Sequence, residues 1–416
     1  MHQLSQIGSP VSIWNLANRS LALKITGYEL FFVAPRWLFL KIETDEGITG
    51  WGEPVLEAKA LTVAACVDEM MDHIMGRDPM QIERHWQRMM KGGFYRGGSI
   101  LNSAVAGIDQ ALWDITGKKL GVPVHQLLGG AVRDRVRIYG HIGGQTPRDA
   151  YGNIPVLKET EEVLKNVQIQ LDRGLTALKW CPADSLEHID TATELKNIVA
   201  RVEAVRNYVG DDIDLCLDFH GRFSMAMSRR VFPLLEPYNL MFIEEPVLPE
   251  YTDHFGLVVQ STSIPIATGE RLFSRTEFKD VLRSGIAVAQ PDLSHAAGIS
   301  ETRRIAAMAE TYNVDIAPHC PLGPIALAAC LQIDFATPNF LIQEQILGLG
   351  KGNNGALMKY LVDFSVFDAP NGYIELMTKP GLGIEVDEKA VREASVNGHR
   401  FRGPEWHHRD GSFAEW

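Results

Sequence analysis

Apolar and polar residues alternate over residues 24–56 in three short runs, KITGYELFFVAP, WLFLKIETDEG and ITGWGEPVL, each closed by a turn signal. A period of two bounded by Gly, Pro and Asp predicts three strands in an antiparallel meander. From about residue 59 the period lengthens to that of a helix, in TVAACVDEMMDHIM, DPMQIERHWQRMM and LNSAVAGIDQALWDITGKKLG, the last stopped by Gly121 and Pro123. Strands followed by a block of helices predict a segregated α+β domain.

Beyond about residue 137 the two periods interleave. GLTALKW, DIDLCLDFH, MFIEEP, PIATGE, IAVAQPD and VDIAPH are short apolar runs, separated by helical stretches such as DTATELKNIVARVEAVRNYVG and ISETRRIAAMAETYNV. Such alternation predicts parallel βα units, and half a dozen in succession favour a closed (β/α) barrel, although spacing alone leaves closure open. The chain thus divides into an α+β domain over 1–136, with 1–22 as a loose extension, and a barrel over 137–360. The segment 361–416 breaks the alternation and is expected to return to the first domain. GLGKGNNG, residues 348–355, lacks the glycine spacing and the helix start of a dinucleotide loop, so it reads as a loop.

Composition narrows the classes. A chain of 416 residues that is 45% hydrophobic and 22% charged has the makings of a large globular core. Its net charge of −12 and the lack of a basic run argue against nucleic acid or anionic membrane partners. The five cysteines form no CxxC pair, which suits a reducing, cytoplasmic setting. The start of the chain does not read as a secretory signal, and no apolar run is long enough to span a membrane.

The chemistry sits at the ends of the barrel runs. Asp218, Glu244, Glu270, Asp292, His319 and Glu344 follow one another at intervals of 26, 26, 22, 27 and 25 residues, each about one strand, one helix and two loops. Each should therefore stand at the C-terminal end of a strand, the face on which this architecture keeps its active sites. With neighbouring strands about 4.8 Å apart, Asp218, Glu244 and Glu270 can converge on one point. Three carboxylates that close need a cation, and an all-oxygen set selects Mg²⁺ first and Mn²⁺ next. The 26-residue register chooses Glu244 over its neighbour Glu245. In DIDLCLDFH the alternation puts Asp218 and His220 together on the face towards the barrel mouth. His220 could then be ligand, base or acid.

These motifs, LDFHG, FIEEPVLPE, IPIATGERLFSR, AQPDLSHAAGIS, APHCPLGPIALAA and FLIQEQ, with FLKIETDEGITGWGEPV and KGGFYRGGSILNSAVAGIDQALWDITGKKLG upstream, resemble in order and spacing the mandelate racemase subgroup of the enolase superfamily. The resemblance runs over roughly residues 24–350. It implies an α/β fold, a modified (β/α)8 barrel of TIM type under an N-terminal α+β capping domain, with Mg²⁺ on Asp218, Glu244 and Glu270. It further implies that His319, oriented by Asp292, removes the proton α to a substrate carboxylate. A carboxylate on one ring nitrogen would fix the tautomer and make the other nitrogen the better base. Glu344 matches a glutamate that donates a hydrogen bond to the enolate, and is therefore expected to be protonated. His220 matches the general acid that protonates a departing 3-hydroxyl. The expected reaction is dehydration of an acid sugar, an aldonate such as D-galactonate, to a 2-keto-3-deoxy acid, with epimerisation or a different acid sugar as the alternative. Expected partners are that small molecule and further copies of the chain.

One departure bears on the chemistry. Racemases of the subgroup carry Lys-x-Lys where this chain has Lys179-Trp180-Cys181, so the second lysine, a base on the opposite face, is missing. Lys179 is expected either to meet the substrate carboxylate or to form an ion pair. From the capping domain, Arg36 and Trp37 in APRWLF, and Tyr95 and Arg96 in GGFYRGG, are candidates for contact with the polyol tail.

Overall fold

A computed structural model describes residues 23–143, 160–183, 185–346, 359–403 and 405–416. The expected extension at 1–22 and the GLGKGNNG loop lie outside these residues.

The meander forms as its periodicity predicts. Strands β1 (Ile25–Val33), β2 (Trp37–Thr44) and β3 (Thr49–Gly52) pair antiparallel in that order. The period of two in β2 divides its side chains between two cores. Leu38, Leu40 and Ile42 pack with Val63, Val67, Ile108 and Leu112 of the capping helices, whereas Trp37 and Phe39 join the larger core shared with the barrel. The helices Ala60–Met71, Ile82–Lys91 and Ser99–Leu120 cover the first face. The longest can lie against β3 because two glycines meet: a Cβ on Gly52 would fall 1.9 Å from the Gly107 carbonyl oxygen.

After β4 (Arg135–Arg137), seven parallel strands follow, β5 (Gly140–His141), β6 (Ala177–Trp180), β7 (Asp214–Asp218), β8 (Phe242–Glu244), β9 (Ile266–Thr268), β10 (Val288–Ala289) and β11 (Asp315–Ile316), in sequential order. Residues 340–343 close the ring, since Phe340 bridges Ile316 on one side and Gln343 bridges Ile138 on the other, both parallel. Inside stands a separate layer, Tyr139, Ala177, Cys216, Phe242, Ala267, Val288, Ala317 and Ile342, one residue from each staves' position, while Leu215 and Leu217 of β7 face the helix layer. That in-and-out alternation aims Asp218 at the barrel mouth.

The chain then returns to earlier elements. Strand β12 (Tyr373–Glu375) pairs antiparallel with β4, and the helix Glu388–Asn397 docks on the capping sheet, where Lys41 meets Glu388 at 3.0 Å. Capping and barrel parts are also fastened directly. Glu53 accepts the backbone N–H groups of Gly323 (2.8 Å) and Ala326 (3.0 Å) at the start of the helix Pro324–Ala336, and Asp109 accepts the Ser300 N–H (2.9 Å) and hydroxyl (2.6 Å) in the helix Ile299–Glu310. Among the described residues no helix is long and apolar enough to cross a membrane.

Candidate active site

Asp218 and Glu244 are the last residues of β7 and β8 and pair with each other in register. Glu270 follows β9 by two residues. One carboxylate oxygen from each lies within 4.8 Å of the others. Glu244 Oε1 is buried without a hydrogen-bond partner, and Glu270 Oε2 has only the His319 ring facing it. Buried acceptors of this kind, with no thiolate or imidazole among them, suit a hard cation. Glu245 points elsewhere and accepts from Arg271 Nε at 2.7 Å.

Asp292 and His319 bridge as neighbours on adjacent strands, and His319 Nδ1 lies 2.7 Å from Asp292 Oδ2. The other nitrogen, Nε2, faces Glu270 Oε2 at 2.9 Å. Burial lowers the His319 pKa, but the carboxylates of Glu270, Glu344 and Asp292 outweigh it and hold the ring well above its ordinary value.

His220 leaves β7 through a left-handed turn, with φ at 49°, and Gly221 continues it at 76°. A Cβ on Gly221 would sit 2.7 Å from the Arg271 guanidinium, so the turn admits only glycine there. The turn carries the His220 ring back over its own strand, Nε2 3.1 Å from Asp218 Oδ2. Burial opposes charge on this ring, yet Asp218 wins and its pKa rises to about 10. Asp218 is correspondingly held well below the usual carboxylate range: burial would raise it, and His220 and Lys179 more than reverse that.

Lys179, buried on β6, lies among the acids, its Nζ 2.6 Å from Glu244, 2.9 Å from Glu344 and 3.3 Å from Asp218. Burial disfavours its charge, but Glu244 and Glu344 overcome this and keep it protonated. Glu244, by contrast, is pushed up to about 8 by burial and by the neighbouring Asp218. Burial raises the Glu344 pKa, but Lys179, His319 and His141 draw it below the usual carboxylate range, the direction opposite to the protonated state expected from the resemblance. Its oxygens meet Lys179 at 2.9 Å, His141 Nε2 at 2.9 Å and the backbone N–H of Cys320 at 2.9 Å.

Asp218, Glu270, His319, His220, Lys179, Glu344 and His141 line one cavity of about 460 Å³, and Glu244 and Asp292 are buried outside its lining. Arg36 reaches it, held by Glu57 and by the Pro321 carbonyl at 2.9 Å. Three expected contacts are not there. Trp37 is fully buried between Phe39 and Tyr360, with ring centroids 6.1 Å from each, because the period of β2 turns it into the core. Tyr95 is 89% exposed, stacked edge-on with Phe94 and away from the cavity, because the glycines on both sides of FYR carry that loop outward. Arg96 likewise turns back on its own loop, donating to the Gly93 carbonyl at 3.1 Å.

Among the other lining residues, Cys181 was met in the sequence only as a replacement for lysine, and His295, Trp406 and Trp416 went unread. His295, three positions after Asp292, meets the same carboxylate at 3.6 Å and Ser103 at 3.1 Å. Cys181 takes a hydrogen bond from Arg222 at 3.2 Å; burial would raise its pKa, but Arg222 and His220 lower it. Trp406 and Trp416 arrive from the far end of the chain. His295 could have been suspected from its spacing to Asp292; nothing in the local pattern pointed to the two tryptophans.

Comparison with known proteins is consistent with this geometry. Residues 33–129 match the mandelate racemase / muconate lactonizing enzyme N-terminal domain, and residues 162–390 the enolase C-terminal domain-like family. The chain is 49% identical over 395 residues to the D-galactonate dehydratase of Variovorax paradoxus, covering 95% of this chain and 100% of that one. It is 47% identical over the same span and coverage to the D-galactonate dehydratase of Xanthomonas axonopodis pv. citri. The crystal structure of a mandelate racemase/muconate lactonizing enzyme from Sulfitobacter sp. superposes with a TM-score of 0.82 at 32% identity, covering 93% of this chain and 100% of that one.

Proposed function

Because the chain belongs to the mandelate racemase and muconate lactonizing branch of the enolase superfamily, we propose that it is an acid-sugar dehydratase. D-galactonate is its substrate and a 2-keto-3-deoxy acid its product. The observation that carries this reading is the meeting, at one cavity, of three converging carboxylates, a His–Asp pair and a second, protonated histidine.

Asp218, Glu244 and Glu270 hold Mg²⁺, with Mn²⁺ able to substitute. When bound it supplies Lewis-acid stabilisation of the charge that grows on the substrate carboxylate as the α-proton leaves. His319 Nε2 removes the C2 proton. Asp292, bound to Nδ1, fixes the tautomer and supports the positive charge the ring acquires. Glu270 Oε2 faces Nε2 at 2.9 Å and raises the ring's pKa; a cation held by Glu270 would weaken that pull.

His220 completes the elimination. The C3–O bond breaks as the His220 proton moves to the departing hydroxyl, which leaves as water, and the enol left behind tautomerises to the 2-keto acid. Asp218 Oδ2 stands 3.1 Å from Nε2 and orients the ring. With Glu344 drawn towards its ionised form, the hydrogen bond to the enolate is assigned to Lys179, which is oriented by Glu344, itself held by His141. Arg36 answers the polyol end.

Epimerisation would need a base on the face opposite His319. The residue at that position is Cys181, whose thiol is occupied by Arg222 and by the Ala183 carbonyl at 3.4 Å. The test is a panel of acid sugars incubated with the Mg²⁺-loaded protein. D-galactonate should yield 2-keto-3-deoxy product at the highest kcat/KM. Inversion at C2 without keto acid would contradict the reading.

A further inference from the structure

Past the helix Glu388–Asn397 the chain leaves the capping domain, where His399 Nε2 meets the Trp37 carbonyl at 2.9 Å, and crosses to the barrel. There residues 406–414 fold into a hairpin. His407 bridges Phe413 antiparallel, Ala414 N–H donates to the Trp406 carbonyl at 2.9 Å, and His408 N–H donates to the Ser412 carbonyl at 2.8 Å. Asp410 secures the turn by accepting from Ser412 N–H at 2.9 Å and its hydroxyl at 2.6 Å.

The hairpin is bolted to the loop that follows β6. Arg409 donates to the buried Asp190 carboxylate at 2.6 Å and its N–H to Glu187 at 3.1 Å, while the Ser185 hydroxyl donates to the His407 carbonyl at 3.0 Å. So anchored, it delivers two indoles to the barrel mouth. Trp406 lies under the Arg222 guanidinium at 4.6 Å. Trp416 packs on His220, with ring centroids 5.1 Å apart and planes at 57°. Both line the cavity, and Trp416 keeps 39% of its surface open.

His220 is otherwise thinly held. Its Nε2 has Asp218, whose other oxygen takes the His220 backbone N–H at 3.1 Å, its ring meets the Cys181 thiol, its Nδ1 has no well-formed hydrogen bond, and its backbone stands in a left-handed turn. A ring fixed at one nitrogen can still pivot about that contact, and general acid catalysis fails with small misplacement.

We propose that Trp416 is a positioning and specificity residue of the dehydration: one side of its indole holds the His220 ring towards the leaving hydroxyl, and its open side packs against the C–H face of the sugar chain. The hairpin 406–416 is then a third wall of the substrate site, beside the barrel loops and the capping domain. An aromatic plate at this place favours acid sugars long enough to reach it over shorter hydroxy acids.

This inference rests on the dehydratase reading, and its test separates the two. The Mg²⁺-loaded wild type and the variants Trp416→Ala, Trp416→Phe and Arg409→Ala are each incubated with D-galactonate in D₂O. Two rates are read: deuterium entry at C2 of recovered substrate, which reports His319, and keto-acid formation, which needs His220 as well. Trp416→Ala should slow keto-acid formation at least about tenfold with exchange within about twofold of wild type. Trp416→Phe should restore most of the loss, and Arg409→Ala, which frees the hairpin without touching the cavity, should shift the ratio in the same direction. Parallel losses in both rates, or no loss in either, overturn the inference alone. A wild type inert towards every acid sugar overturns the dehydratase reading and this inference with it.

Discussion

Two sets of buried acids, at the seam between the domains and at the barrel mouth, show how one residue type serves two ends. At the seam every carboxylate oxygen has an answering donor: Glu53 takes the Gly323 and Ala326 N–H groups, and Asp109 takes both donors of Ser300. At the mouth Glu244 Oε1 has none, Glu270 Oε2 faces only the ring of His319, and one lysine is shared among three acids. The seam acids are spent on helix starts and hold the fold. The mouth acids keep acceptor capacity in reserve, which is what a cation or a substrate requires.

The largest contrast should come from the same acid-to-amide change made at each place. Glu244→Gln removes a ligand from the mouth, so the heat of Mg²⁺ binding in calorimetry should vanish and kcat/KM fall about a thousandfold. Asp109→Asn, equally buried, should leave kcat/KM within about threefold and be read instead in a lower urea midpoint. Comparable activity losses in the two variants would erase the distinction.

The next effect belongs to the seam. Glu53→Ala strands two backbone N–H groups and should cost about 2–4 kcal/mol in urea denaturation. Burial pushes the Glu53 carboxyl from 4.5 up to about 8 against the opposing pull of the Ala326 and Gly323 N–H groups. The folded state binds that proton more tightly than the unfolded one, so this contribution is whole below 4.5 and is lost as pH rises through about 8. Glu53→Gln cannot titrate, so the stability gap between it and the wild type should narrow from roughly pH 5 to pH 9. A constant gap would show that Glu53 is ionised in the fold.

Outside both regions, ion pairs matter least. Arg392 joins Glu29 and Glu388 on the surface with 45% of its side chain exposed, and Arg392→Ala should change stability by less than about 1 kcal/mol and leave kcat unaltered.

The sequence carried what depends on period and register. The alternation in DIDLCLDFH and the near-constant spacing of polar run ends located the strands and brought Asp218, Glu244 and Glu270 to one level, and the same register set Glu245 aside. What escaped depends on contacts remote in sequence or on loop direction. Trp37, at the head of the run WLFLKIETDEG, was a candidate for the polyol tail, but the strand begins with it and turns it inward. Tyr95 sits among glycines whose geometry no period dictates. Glu344 is drawn towards its ionised form by Lys179 and His319, contributed by other strands, and Trp416 reaches His220 through a hairpin with no repeating pattern. The His220 ring faces the mouth as alternation implies, although a left-handed turn, not a continued strand, puts it there.

The central claim is that two histidines divide the reaction, His319 taking the C2 proton and His220 delivering one to the leaving group. Following D-galactonate with the Mg²⁺-loaded protein in D₂O tests it directly. His220→Asn should cut keto-acid formation by about 10²–10⁴ while deuterium still enters C2 of the recovered substrate, and His319→Asn should abolish both. Exchange that survives in His319→Asn, or that disappears together with dehydration in His220→Asn, would contradict the division.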